Sequence, residues 1–120
     1  MQRKKPTIRK KIRSCKKVQR HVHEFEGSTK QAEEGDDRHN HRFAGVTGQA
    51  IRVGKSHVHD IDLTNTDFFN HFHKLKKIRT GPAIPVGNGK HVHFVTGQTT
   101  LNDGHVHQFK FATLIQAPLV

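Results

Sequence analysis

Every histidine in this chain belongs to a His-x-His pair, and that pairing limits the backbone more than any other feature. The twelve residues fall at His21/His23, His39/His41, His57/His59, His71/His73, His91/His93 and His105/His107. The residue between is Val22, Asn40, Val58, Phe72, Val92 or Val106. Two places after the second His stands an apolar residue each time: Phe25, Phe43, Ile61, Leu75, Val95 and Phe109. Such alternation, rich in β-branched and aromatic residues and bounded by Gly, Asn, Asp and Thr, predicts strands. On a strand both imidazoles and the following apolar side chain share a face. The rings are therefore expected at the margin of the core or in a layer above it, where an imidazole without a partner is costly.

The pairs are of two alternating types, one beginning at 21, 57 and 91, the other at 39, 71 and 105. The body then divides into three tandem units of about 34 residues, 21–53, 57–86 and 91–120. The first is lengthened by an acidic loop, Glu33, Glu34, Asp36 and Asp37. After its second pair each unit has a further extended piece: Thr47-Gly48-Gln49-Ala50-Ile51-Arg52-Val53, Thr80-Gly81-Pro82-Ala83-Ile84-Pro85-Val86, and Ala117-Pro118-Leu119-Val120 with Ala117 in the place of Ala83. Gly54-Lys55-Ser56 and Gly87-Asn88-Gly89-Lys90 link the units, and Asn88-Gly89 and Asp103-Gly104 are strong turn dipeptides. The expected fold is all-β, three tandem hairpin-like repeats in a pseudo-threefold closed barrel or prism. A short β-solenoid or a sandwich is the alternative.

His-x-His on a strand can direct two ring nitrogens at one ion, and neutral imidazole is a common ligand of transition metals. All twelve histidines are candidate metal ligands, as three sites of four or four sites of three, so more than two ions per chain are expected. Zinc is the expected occupant, with copper, nickel and cobalt as alternatives. A cross-strand imidazole ladder without metal is the competing reading. Binding or storage is expected rather than catalysis. Glu24, Glu26, Asp60 and Asp62, the candidate bases, lie only in the first two units, and Ser14, Cys15, Ser28 and Ser56 form no nucleophile motif.

Charge separates the chain into two parts. Of a net +11, residues 1–20 carry +10, with ten Lys and Arg and no acid, whereas 21–120 are nearly neutral. Residues 1–20 thus read as a basic arm on a His-repeat domain, 21–120. Its Ile8, Ile12, Cys15 and Val18 would align on one helical face. The arm is expected to dock on neighbouring subunits, giving a homo-oligomer or a filament, a fibre or spore-surface subunit being the alternative function. Nucleic acid or another polyanion is a further candidate partner for it, and Cys15 a candidate cross-link. No apolar run approaches the ~20 residues of a membrane span, and no apolar stretch follows the basic start as a secretory leader requires.

The stretches His21-Val22-His23-Glu24-Phe25, His39-Asn40-His41-Arg42-Phe43-Ala44-Gly45-Val46-Thr47, Gly81 to His93 and Asp103-Gly104-His105-Val106-His107 resemble the YmaF-like family of small His-rich bacterial proteins. The resemblance covers about 21–118 and leaves the arm outside. It implies a cytoplasmic or spore-associated setting in spore-forming bacteria, and it supplies no reaction, substrate or catalytic residue.

Overall fold

The computed structural model describes residues 20–118. Residues 1–19, with the apolar stripe and Cys15, and Leu119 and Val120 lie outside it. Among the described residues the fold is all-β apart from one turn of 3-10 helix at Gly35–Asp37. Ten strands run in order: β1 Val22–Ser28, β2 Arg42–Val46, β3 Ile51–Val53, β4 Ser56–Val58, β5 Asp60–Asn65, β6 Lys74–Arg79, β7 Ala83–Gly87, β8 Lys90–Gln98, β9 Gln108–Ala112 and β10 Gln116–Ala117.

Three antiparallel pairs, β1–β2, β5–β6 and β8–β9, form the body. The residues two places after each pair point inward together, as the alternation requires. Phe25, Phe43, Ile61, Leu75, Val95 and Phe109 are all buried, joined by Phe111, and Ile78 packs against them. In the first pair each Phe lies opposite a glycine of the other strand, Phe25 facing Gly45 and Phe43 facing Gly27. A Cβ on Gly45 would fall 2.8 Å from Phe25 Cζ and 2.9 Å from Thr64 Oγ1. Gly45→Ala is therefore expected to cost about 1–3 kcal/mol by overpacking, read as a lower urea midpoint. Gly48→Ala, whose added Cβ meets nothing nearer than the Asp60 carbonyl oxygen at 3.6 Å, serves as the near-neutral control.

The closed barrel expected from the sequence is not what forms. The strands fall into four separate sheets, β10-β1-β2, β3-β4, β5-β6 and β7-β8-β9. The three body hairpins join each other through single backbone hydrogen bonds near their ends rather than continuous ladders. Gly48 N–H donates to Asp60 O, Gly81 N–H to Phe94 O and Leu114 N–H to Glu24 O at one end. Lys30 N–H donates to Gln108 O, Asp67 N–H to Arg42 O and Thr100 N–H to Lys74 O at the other.

The third extended pieces flank one end of this arrangement. β3 pairs with β4 and β7 with β8, while β10 returns from the C-terminal side to pair with β1. Asn88 and Gly89 both have positive φ, as do Asp103 and Gly104, which matches the primed turns expected of these dipeptides. The register corrects the sequence alignment by one residue. Gln116, not Ala117, stands opposite His23, where Ala83 stands opposite His93, because pairing follows hydrogen-bond alternation and not side-chain likeness.

Candidate metal centre

The twelve histidines gather into two groups of six. His21, His23, His57, His59, His91 and His93 meet at the end that carries β3, β7 and β10, called here the near end. His39, His41, His71, His73, His105 and His107 meet at the far end. Within each group the ligand nitrogens all lie within 4.8 Å of one another. The grouping reproduces the two alternating types of pair. It corrects the expected sites of three or four, because all three hairpins converge at both ends. The stretch from His23 to Thr29 runs through the core, so the groups stand about 20 Å apart at ~3.3 Å per residue.

At the near end one pair spans the start of β1, with His21 just ahead of it and His23 within, another lies in β8, and the third has His57 in β4 and His59 between β4 and β5. At the far end they stand just ahead of β2, β6 and β9, not within them. The far-end approaches are tight loops rather than paired strands: the 3-10 turn before His39, the bend at Phe69–His71, and the Asp103-Gly104 turn before His105. The backbone there is extended without a continuous ladder.

Nε2 atoms of adjacent rings are 3.0–3.2 Å apart at the near end. They are 3.0–3.3 Å apart at the far end. Adjacent rings meet edge-on, with near-end centroids 4.5–5.2 Å apart. Each ring stands across the centre from a single other: His21 from His93, His23 from His57 and His59 from His91; at the far end, His39 from His73, His41 from His105 and His71 from His107. That is the neighbour relation of an octahedron. Edges of 3.0–3.3 Å, divided by √2, put the centre about 2.1–2.3 Å from each nitrogen, against a metal–imidazole bond of ~2.0–2.1 Å for zinc.

The second histidine of every pair is fully or almost fully buried and held by the same contacts. Its Nδ1 lies 2.8–3.1 Å from a backbone carbonyl: Leu114 for His23, Asp67 for His41, Gly48 for His59, Thr100 for His73, Gly81 for His93 and Lys30 for His107. A carbonyl only accepts, so each Nδ1 carries the proton and each Nε2 turns its lone pair to the centre. This is the tautomer a metal needs, oriented by the outer hydrogen bond. At these six rings the carbonyls make each Nε2 an acceptor. A metal-free ladder would have to draw its donors from the first histidines of the pairs, such as His21, His57 and His91, whose Nε2 atoms lie 3.1–3.2 Å from those of His59, His93 and His23.

Six buried threonines complete the frame, and of these only Thr47 and Thr80 fell within a motif noticed in the sequence. Thr47, Thr29, Thr80, Thr66, Thr113 and Thr99 hydroxyls accept the backbone N–H of His23, His41, His59, His73, His93 and His107, at 2.9–3.1 Å. The same threonine N–H groups donate to those histidine carbonyls. The signal was available: a threonine follows the second His by six residues in four cases and by seven in β5 and β6. There Asp62 and Lys77 are the extra residues that the ladder skips. Thr47→Val leaves a buried N–H without an acceptor and is expected to cost about 1–3 kcal/mol. Thr47→Ser should retain most of the stability, as measured by thermal denaturation.

Burial depresses the imidazole pKa values. His23, His59, His91 and His107 are lowered to about 4, desolvation being the largest cause and neighbouring rings adding to it. The carbonyl bonds offset part of this at His23, His59 and His107. These four rings are thus neutral near pH 7, as ligands must be. Among the candidate bases, Asp60 is held by Arg79 through two hydrogen bonds of 2.7 and 2.9 Å.

An all-β domain with two six-histidine clusters is the class these features define. Residues 18–115 match the family model YmaF, described as spore germination protein GerY/YamF. The chain belongs to the YmaF family. No curated protein and no solved structure matches it.

Proposed function

We propose that this protein binds two transition-metal ions, one in each octahedron of imidazoles, and uses them structurally or as a store. The observation that carries this reading is the convergence of six Nε2 atoms in each group on one point, with the proton of each pair's second histidine held on Nδ1 by a backbone carbonyl. At least three acceptors in each group are thereby fixed on one point, and a cation there pairs with all six nitrogens once the first histidines also carry their protons on Nδ1. The three hairpins are read as copies of one unit around an axis through both centres. Six nitrogens in octahedral array suit Fe(II), Co(II) or Ni(II), since structural zinc sites are almost always four-coordinate and Cu(II) favours tetragonal geometry.

Metal analysis of untagged protein, purified without an immobilised-metal column, tests this directly. Two ions per chain are expected, and the Co(II) form should show the weak absorption of six-coordinate cobalt rather than the intense bands of four-coordinate cobalt. Protein that stays metal-free in excess Co(II) and Ni(II) would sink the reading. No helix among the described residues is long and apolar enough to cross a membrane. The family description supports a spore-associated setting.

Charge favours a second reading, self-assembly through residues 1–20. The arm's +10 suits the far end of another copy, whose loops 29–41, 66–73 and 99–107 hold six acids and two bases. Deleting residues 1–20 should convert an assembling chain to a monomer in sedimentation velocity while leaving metal content unchanged. Equal sedimentation of both chains overturns this reading.

A further inference from the structure

The two six-histidine groups share a geometry but not an electrostatic setting. Near-end loops 20–23, 47–59, 80–93 and 113–118 hold Arg20, Arg52, Lys55 and Lys90 and no acid. Arg20, Arg52 and Lys55 line one cleft with His21 and His57. At the far end a cleft of about 100 Å³ is lined by Glu33, Asp36, Asp37 and Asp103 together with His39 and His71. The far-end loops therefore sum to −4 and the near-end loops to +4, counting His as neutral.

Carboxylates also reach the far-end rings themselves. Asp67 Oδ1 lies 3.3 Å from His41 Nδ1, Asp103 Oδ2 3.6 Å from His71 Nδ1 and Glu33 Oε2 3.7 Å from His105 Nδ1. The His41 and His105 nitrogens bond more closely to the Asp67 and Asp103 carbonyls, at 3.1 and 3.0 Å, so Glu33 acts on its ring through charge. His71 Nδ1 is buried with no hydrogen-bond partner, and its side chain is nine-tenths buried. The Asp103 carboxylate, 3.6 Å away, is the charge that faces this unpartnered nitrogen. A carboxylate behind a ligating imidazole raises the ring's basicity and its hold on the metal. Among the described residues no near-end ring has a carboxylate within 4.0 Å.

Resting on the two-ion reading above, we propose that the sites are unequal. The far-end group, backed by Glu33, Asp67 and Asp103, takes up a divalent transition-metal ion first and holds it at least tenfold more tightly. Asp67 is partly neutralised by Arg42, whose guanidinium Nη2 lies 3.5 Å from Oδ2, and its Oδ1 accepts the Arg42 backbone N–H at 3.0 Å. Glu33 and Asp103 are thus the main determinants of the difference. They act as positioning residues behind the rings and as the negative rim that an arriving cation meets. The near-end group, ringed by bases, fills second and empties first.

The full-length protein carries the test without altering a ligand. Co(II) is withdrawn stepwise from the loaded protein with EDTA and then returned, while backbone amide resonances are followed. Thr47, Thr80 and Thr113 report the near end, and Thr29, Thr66 and Thr99 the far end. On withdrawal the near-end set should revert first, and on return the far-end set should respond first. Half-saturation points should differ by at least tenfold, and less in 0.5 M salt as the rim charges are screened. Glu33→Gln with Asp103→Asn, both outside the ligand set, should bring the two sets toward parity while both still bind. Parallel responses in the unaltered protein overturn the proposal, as does a difference that survives the double substitution. Absence of any cobalt effect at either set instead overturns the metal reading itself.

Discussion

Stripped of metal at neutral pH, the protein is expected to melt at least about 20 °C below its loaded form, or to lose its cooperative transition. The buried apolar cluster holds seven residues, a small core for a body of about 100 residues. An ion present at a thousand times its dissociation constant stabilises the folded state by ~4 kcal/mol, so two independent sites contribute ~8 kcal/mol. In a domain of this size each kcal/mol moves the melting temperature by about 4–8 °C. Removing the ions also leaves the lone pairs of the second histidines, fixed by their carbonyls, facing the centre of each cluster with only the first histidines able to supply donors to them. Circular dichroism melts before chelation, after it, and after metal is restored check the expectation. Stripped and loaded forms melting within about 5 °C of each other, a difference worth ~1 kcal/mol, would mean that the ions do not hold the fold.

Acid should unfold the metal-free protein across a window set by the depressed imidazoles. His23, His59, His91 and His107 have folded-state values of about 4, against 6.5 for an unperturbed ring. Between these values the unfolded chain binds protons that the folded chain refuses. Stability is therefore full above about pH 6.5, falls as pH drops toward 4, and loses nothing further from these rings below that. Several rings act together, so the loss is expected to be steep. Metal release runs in the same direction, because protons compete for the ligand nitrogens. Loaded protein should thus resist acid longer than stripped protein. Far-ultraviolet circular dichroism and retained metal, followed from pH 8 to 3.5, provide the measurement. A flat profile through this window would show that the buried rings are not neutral in the folded state.

Much of the local design was legible before any tertiary contact was known. The six positions two places after each pair are all buried core, because side-chain alternation on a strand is a property of the backbone alone. The turns at Asn88-Gly89 and Asp103-Gly104 were legible for a similar reason, since few residues accept positive φ. The alternation of pair types separated the near-end histidines from those of the far end. The threonines were also within reach, since their offset from each pair is nearly constant. They were passed over because a buried threonine hydroxyl has no distinctive signature until its partner N–H is seen.

By itself, the sequence determined that the chain makes strands, which face of each strand carries the imidazoles, and which apolar residues lie beneath them. Only the tertiary structure decided how many imidazoles share a centre and the open, non-barrel arrangement. His21, His57 and His91 are 34 to 36 residues apart in the chain, and nothing in their local spacing says how many pairs share a centre. That is settled by single hydrogen bonds between hairpins, such as Gly48 to Asp60 and Leu114 to Glu24. They bring three hairpin ends together at each pole while leaving the strands between them unjoined. Alternation is enforced over a few bonds by sterics, whereas convergence depends on long-range contacts that form only when the whole body closes.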